Sequence, residues 1–177
     1  MGKIVLVTGG VRSGKSAFAE RYTAYCAAQT GTKVAYIATA QVYDEEMRQR
    51  VDLHQSRRPA DWSTYEAPFH TEDAIRAAGA AHGVILFDCI TMFLSNDMLQ
   101  YPEEEQERDS FVLHVEKRIG ALISAAQEIS ATTIFVTNEV GAGIVPEHRL
   151  GRLYRDMAGL ANQQIACSAA EVYLVTC

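Results

Sequence analysis

The sequence predicts an α/β fold, with a mostly parallel sheet and helices on both of its faces, formed by a single domain. Two observations predict it. Short apolar runs alternate with longer segments of helical character, and the runs are apolar at consecutive positions rather than at every second one. Continuous apolarity is typical of strands that are covered on both faces, which is the situation in a parallel sheet.

The predicted strands are rich in valine and isoleucine and cover residues 4–7, 34–38, 84–87, 134–136 and 172–175. The predicted helices lie between them, over residues 15–29, 44–57, 71–78, 104–129 and 149–170. Pro59 is expected to end the second helix, because proline disfavours helical geometry at the residue before it. No repeat, low-complexity tract or linker divides the chain, so one domain over residues 1–177 is predicted.

Composition narrows the classes of function. Apolar residues make up 48% of the 177 positions and charged residues 21%, with a net charge of −6, as in ordinary globular proteins. An acidic chain disfavours nucleic acid and anionic membranes as main partners. The four cysteines are scattered without a CxxC pair, which disfavours a zinc site or a disulfide framework. The N-terminal apolar run is too short for a signal peptide or a membrane span, so a cytoplasmic protein is expected.

A glycine-rich loop follows the first predicted strand. Its sequence GGVRSGKS fits the pattern G-x-x-x-x-G-K-[ST], and a predicted helix begins at Lys15. Glycines let backbone N–H groups converge on phosphate oxygens, and the helix N-terminus adds partial positive charge. Lys15 is expected to pair with the β- and γ-phosphates, and the Ser16 hydroxyl to bind Mg²⁺. The sequence therefore predicts a nucleoside triphosphate site in a P-loop, RecA-like sheet, with a cradle formed by Gly9, Gly10, Val11, Arg12, Ser13, Gly14, Lys15 and Ser16.

A second Mg²⁺ ligand is expected at the end of another strand. The run Val-Ile-Leu-Phe ends in Asp88, which is the pattern of a Walker-B strand. Because the carboxyl ends of parallel strands meet at one edge of the sheet, Asp88 is expected to face the phosphate loop. Strands often end in aspartate for reasons of turn formation, but the presence of the P-loop favours a metal ligand here.

Four arginines surround one histidine in this otherwise acidic chain. Residues 48–58 contain four arginines and one aspartate, a local net charge of +3, which marks a place where an anion is expected. In the predicted helix, Arg50 lies four positions before His54, and Arg57 and Arg58 lie three and four positions after it. Nearby cations favour a neutral imidazole, whose lone pair can attack phosphorus. Two alternatives remain open: a histidine that only donates a hydrogen bond, and an ordinary surface histidine.

Five sequence blocks together resemble a known family: GGVRSGKS, YIATAQ (36–41), RVDLHQSRRPADW (50–62), FVTNEVGAGIVPE (135–147) and RDMAGLANQ (155–163). The chain resembles the bifunctional adenosylcobinamide kinase/adenosylcobinamide-phosphate guanylyltransferases of cobalamin biosynthesis, from residue 4 to residue 175. The resemblance implies two reactions. ATP or GTP first phosphorylates the aminopropanol hydroxyl of adenosylcobinamide. GTP then forms a guanylyl-histidine, which passes GMP to the cobinamide phosphate and gives adenosylcobinamide-GDP.

The resemblance also implies a set of site residues. His54 occupies the position of the nucleophile in the family pattern R-[IV]-x-x-H-x-x-x-R-P. Residues that would hold GTP beside the P-loop are Ala38, Thr39, Ala40, Gln55, Ser56, Arg57, Arg58, Glu66 and Asp88. The carboxylate of Glu66 suits guanine, since it can accept from N1–H and N2–H₂ together, and a solvated loop carboxylate stays open as the alternative. The run from Asn138 to Gly141 is implied to belong to the site without a defined step, and a homo-oligomer is implied as well.

Two other functions stay open at this point. One is a small-molecule P-loop kinase without guanylyltransferase activity, in which His54 is a bystander. The other is a RecA-type switch or DNA-associated ATPase, which the acidic charge and the aromatic content of 8% disfavour. The expected partners are adenosylcobinamide, its phosphate, GTP and ATP, without nucleic acid.

Overall fold

Six strands and five helices build the part of the chain that the computed structural model describes, namely residues 1–42, 44–45, 48–49, 51, 55–56, 58–101 and 108–176. In chain order they are β1 (Ile4–Gly9), α1 (Lys15–Thr30), β2 (Val34–Ala38), β3 (Ser63–Glu66), α2 (Thr71–Gly79), β4 (Val84–Asp88), α3 (Ile90–Gln100), α4 (Arg108–Glu128), β5 (Thr132–Val136), α5 (Arg149–Ser168) and β6 (Glu171–Val175).

The strands form one sheet in the order β3-β2-β4-β5-β1-β6, and every neighbouring pair is parallel. All carboxyl ends therefore lie at the same edge. The end of β1, which leads into the glycine-rich loop, is separated from the end of β4 only by β5. This arrangement brings the P-loop and Asp88 to one side of the molecule, where ligands bind in open α/β sheets.

Side chains alternate between two core layers on the two faces of the sheet. On β1, Ile4 and Leu6 face a large cluster that contains residues of α2, α3, α4 and α5. Val5 and Val7 face the opposite cluster, into which α1 inserts Ala19. Helices thus cover both faces, as the sequence predicts.

The predicted elements agree with the structure except in two places. Strand β3 and helix α3 are absent from the prediction, which placed no element over residues 63–66 or 90–100. Strand β3 has the sequence STYE, lies at the sheet edge and has mostly exposed side chains, so it lacks an apolar run. In the predicted helix 44–57, the described residues 45, 48, 49, 51, 55 and 56 are helical, residue 44 is a bend, and the others lie outside the described residues. In the predicted helix 104–129, residues 104–107 also lie outside them.

Buried polar groups fix the carboxyl edge of the sheet. Asn96 of α3 is 1% exposed, and its amide donates to the carbonyls of Thr39 (2.7 Å) and Pro68 (3.2 Å). The Thr39 hydroxyl in turn accepts from the Cys89 amide at 2.9 Å. These bonds tie the segments that follow β2, β3 and β4 to one another. In the described part of the chain, no helix is both long and apolar enough to cross a membrane.

Candidate active site

Two glycines determine the conformation of the P-loop, one by allowing a close approach of strands and the other by adopting a positive φ. At Gly9, a Cβ atom would lie 2.3 Å from the Val175 carbonyl oxygen, so only glycine allows β1 to approach the end of β6 this closely. Gly14 has φ 85°, a left-handed conformation that glycine adopts without strain, and α1 begins at the next residue. The turn at Gly14 therefore points the N-terminus of α1 towards the carboxyl edge of the sheet.

Lys15 is held inside the loop. Its Nζ donates to the Gly10 carbonyl at 3.0 Å, and the residue is only 9% exposed. Burial lowers the pKa of Lys15, while Cys89 and Asp88 act in the opposite direction. A partly desolvated ammonium group close to the end of β4 is suited to a polyanionic ligand, because bound phosphates restore the charge stabilisation that burial removes.

A cavity of about 730 Å³ opens at the carboxyl edge of the sheet above this loop. Many of the residues that the sequence predicts for the nucleotide line it: Val11, Arg12, Ser13, Gly14, Lys15, Ser16, Ala38, Ala40, Gln55, Arg58, Glu66 and Asp88. Asn138, from the run that the resemblance implied, and Arg48, from the arginine-rich segment, line it as well. Lining residues that the sequence analysis did not point to are Ala17, Tyr36, Val42, Val51, Cys89 and Met92. The structure thus brings the P-loop, the ends of β2, β3 and β4 and part of the arginine-rich segment around one space.

Four predicted residues do not line this cavity: Gly9, Gly10, Thr39 and Ser56. The reason is clearest for Thr39, which is fully buried and whose hydroxyl bonds to the backbone of Asp88 and Cys89. Its side chain supports the end of β4, and the neighbouring Ala38 and Ala40 reach the cavity instead. His54 and Arg57 lie outside the described residues.

Asp88 ends β4 and receives a hydrogen bond that the sequence does not reveal. The Tyr36 hydroxyl donates to Asp88 Oδ2 at 2.6 Å, and Tyr36 is 2% exposed. The Ser16 side chain lines the same cavity as Asp88. A hydroxyl, a carboxylate and phosphate oxygens are the oxygen donors that Mg²⁺ prefers, so the residues present fit this ion.

A smaller cavity of about 360 Å³ adjoins the first on the side of β3. Gln55, Arg58 and Glu66 line both cavities, and Trp62 and Thr64 complete the smaller one with Pro59 and Ala60. The guanidinium carbon of Arg58 lies 3.6 Å from the centroid of the Tyr36 ring. Glu66 and Arg58 thus lie where the two cavities meet, beside the edge strand β3, which the sequence analysis did not predict.

A parallel sheet, a glycine-rich loop that opens α1 and an aspartate at the end of a nearby strand together define a P-loop nucleotide-binding α/β protein. Comparison with known proteins narrows this class. A family model described as cobinamide kinase / cobinamide phosphate guanyltransferase matches residues 5–177. The chain belongs to this family, which confirms the resemblance found in the sequence.

Two curated relatives are similar along almost their whole length. The chain is 40% identical over 176 residues to the bifunctional adenosylcobalamin biosynthesis protein CobU of Escherichia coli (strain K12), covering 97% of this chain and 94% of the relative. It is 41% identical to the protein of the same name from Salmonella typhimurium (strain LT2), with the same coverage of both chains. The names of these relatives favour the bifunctional function over the kinase-only alternative.

A solved structure supports the fold class. The flagellar accessory protein FlaH from Methanocaldococcus jannaschii aligns with a TM-score of 0.53 and 16% identity, covering 98% of this chain and 70% of that chain. At this identity the likeness concerns the fold alone. The predicted RecA-like P-loop sheet is confirmed.

Proposed function

We propose that this protein phosphorylates the aminopropanol hydroxyl of adenosylcobinamide with ATP or GTP and then transfers GMP from GTP to the product, giving adenosylcobinamide-GDP. The observation that supports this most directly is the 730 Å³ cavity, because the P-loop and the neighbours of His54 in the sequence line the same space. Val51, Gln55 and Arg58 all contribute to it. One bound triphosphate in this cavity is therefore within reach of both sets of groups.

In the phosphorylation step, the substrate hydroxyl attacks the γ-phosphorus and the nucleoside diphosphate leaves. Lys15 holds the β- and γ-phosphates, and the N–H groups of the loop bind the equatorial oxygens as negative charge moves towards the leaving group. Ser16 and Asp88 would hold Mg²⁺, which would supply positive charge to offset that of the phosphates. Catalysis in this half consists of positioning and electrostatic stabilisation by the chain's own groups.

In the guanylyl transfer, an imidazole nitrogen of His54 attacks the α-phosphorus of GTP and pyrophosphate leaves. The phosphate of adenosylcobinamide phosphate then attacks the same phosphorus, and the imidazole is released. Imidazole suits this role because it is both a good nucleophile and a good leaving group. In this step Arg58 binds phosphate oxygens, and the Glu66 carboxylate accepts from N1–H and N2–H₂ of guanine. The position of both residues in the lining of the two cavities supports these roles.

Labelled GTP tests the proposed intermediate. Incubation with GTP that carries radiolabel in its α-phosphate, without cobinamide, is expected to leave acid-labile and base-stable label on the protein. His54→Ala should abolish this label, while His148→Ala, which removes an exposed histidine at the start of α5, should keep it. Transfer of γ-label to adenosylcobinamide without any protein-bound α-label would instead support the kinase-only function.

Three further properties belong to the proposal. A cytoplasmic protein, a homo-oligomer and the absence of a nucleic-acid partner are predictions that follow from sequence composition and from the family resemblance. Sedimentation velocity measures the oligomeric state. A filter-binding assay with single- and double-stranded DNA measures binding to nucleic acid. Tight DNA binding that weakens as the salt concentration rises would favour the RecA-type alternative.

A further inference from the structure

We propose that Tyr36 is a positioning residue that supports two parts of the nucleotide site at once. Its hydroxyl holds the Asp88 carboxylate, and its ring holds the Arg58 guanidinium. This inference rests on the proposed function, in which Asp88 binds Mg²⁺ and Arg58 binds phosphate oxygens of the nucleotide. It predicts that one buried side chain couples the two.

The sheet register explains why Tyr36 reaches Asp88. Strands β2 and β4 are parallel neighbours, and Ala38 is paired with Asp88 while Tyr36 is paired with Leu86. Residues two positions apart on a strand point to the same face, so Tyr36 and Asp88 are diagonal neighbours across the two strands. A tyrosine spans this distance, and its hydroxyl meets Asp88 Oδ2 at 2.6 Å.

The hydrogen bond to Asp88 joins a phenol donor to a carboxylate acceptor. A charge-assisted hydrogen bond of this kind fixes the orientation of the carboxylate relative to the P-loop, which preorganises a ligand for Mg²⁺.

The ring of Tyr36 provides the second contact. The Arg58 guanidinium carbon lies 3.6 Å from the ring centroid, within the range of a cation–π interaction. Because Tyr36 is 2% exposed and lies in a strand between two neighbours, the ring cannot follow a moving side chain. It therefore gives the guanidinium a fixed surface at the boundary between the two cavities, where Arg58 can bind phosphate oxygens.

Two substitutions separate the two contacts. Tyr36→Phe removes the hydroxyl but keeps the ring, so it should weaken only the contribution of Mg²⁺ to nucleotide binding. Tyr36→Leu removes both groups, so it should also weaken binding in the absence of metal. The measurement is the dissociation constant of a fluorescent GTP analogue in EDTA and in saturating Mg²⁺, and it needs no turnover.

For Tyr36→Phe, the ratio of the EDTA constant to the Mg²⁺ constant should fall about tenfold, the effect of one lost hydrogen bond to a charged group. The constant in EDTA should stay within about twofold of wild type. For Tyr36→Leu, the constant in EDTA should rise about tenfold as well. Tyr22→Phe is the matched control, because Tyr22 also donates to a carboxylate at 2.6 Å but does so at Glu171, at the start of the edge strand β6.

An unchanged ratio in Tyr36→Phe would overturn the inference, and so would equal weakening of both constants. If Tyr36→Leu does not fold, as judged by thermal denaturation, Arg58→Leu replaces it. Arg58→Leu should raise the EDTA constant while leaving the ratio unchanged, and a fall in the ratio alone would contradict the coupling. Wild-type protein that binds no GTP would overturn the proposed function together with this inference, whereas normal wild-type binding with an unaltered Tyr36→Phe overturns only the inference.

Discussion

The same chemical pair occurs in two regions of this molecule. At the carboxyl edge of the sheet, the Tyr36 hydroxyl donates to Asp88 at 2.6 Å. At the start of β6, and therefore at the amino edge of the sheet, the hydroxyls of Tyr22 and Tyr173 both donate to Glu171, also at 2.6 Å. The bond lengths do not distinguish the two regions.

The surroundings of the two carboxylates do distinguish them. Glu171 also pairs with Lys3, and these partners lower the pKa of Glu171 to about 2, with Lys3 the largest cause. The protein itself therefore supplies ion-pair and hydrogen-bond partners to the Glu171 carboxylate. Asp88 lines a large cavity together with Lys15 and Ser16, at the edge where parallel sheets bind ligands. The comparison teaches that position relative to the sheet, rather than the hydrogen bond, separates a structural carboxylate from one that is available to a ligand.

The two lysines of these regions give the sharpest test of the comparison. Lys15→Met removes the cation proposed to hold the β- and γ-phosphates, so phosphorylation of adenosylcobinamide should slow by about 10²–10³-fold. Stability should be unchanged or slightly higher, because the pKa of Lys15 is lowered by burial and its charge is costly in the free protein. The checks are the initial phosphorylation rate and thermal denaturation.

Lys3→Met is the matched control for this prediction. Lys3 pairs with Glu171 at the start of β6 and does not line the cavity. Its loss should change the phosphorylation rate by less than about twofold. An equal loss of rate in both variants would show that general damage, rather than phosphate binding, explains the result for Lys15.

Much of the fold follows from sequence because its signals are local. Continuous apolar runs locate β1, β2, β4, β5 and β6 within two residues of their observed bounds. Strand β3 gives no such signal, because its sequence STYE contains no apolar run, whereas the other edge strand, β6, has one although two of its five residues are exposed. Helix α3 gives no signal for another reason: only one residue, Cys89, separates it from the end of β4, and this N-cap residue makes no side-chain capping bond.

In the candidate site as well, sequence patterns reveal local features but not contacts between distant residues. The P-loop is a contiguous pattern, so its cradle residues are readable from the sequence, and Asp88 follows from the end of a strand. Tyr36 is not readable, because its contacts with Asp88 and Arg58 join residues far apart in the chain through the strand order. Thr39 illustrates the opposite case, where the block YIATAQ implies a ligand but the side chain turns into the core.

Asn96 tests how strongly the carboxyl edge depends on buried polar support. Asn96→Ala removes the donor to the carbonyls of Thr39 and Pro68 and should lower the free energy of unfolding by about 2–3 kcal/mol, because the carbonyls lose a partner in a buried place. Urea denaturation measures this. Gln163→Ala, at an exposed position of α5, is the control and should cost less than about 0.5 kcal/mol. A similarly small loss for Asn96→Ala would mean that the edge does not depend on this side chain.

The smallest effect is expected at Glu171, where pH sharpens the comparison. Its folded-state pKa of about 2 lies below the value of 4.5 for the unfolded chain, so its contribution to stability is fully present above about pH 4.5 and is lost as the pH falls towards 2. Because the Glu171 side chain is 33% exposed, screening by solvent limits this contribution to less than about 1 kcal/mol. Glu171→Gln should therefore lower the free energy of unfolding slightly at pH 7, and the difference from wild type should shrink between pH 4.5 and 2.5 in urea titrations. A difference that is constant over this range would mean that the carboxylate gains nothing from Lys3 and the two tyrosines, and that its pairing is a matter of geometry alone.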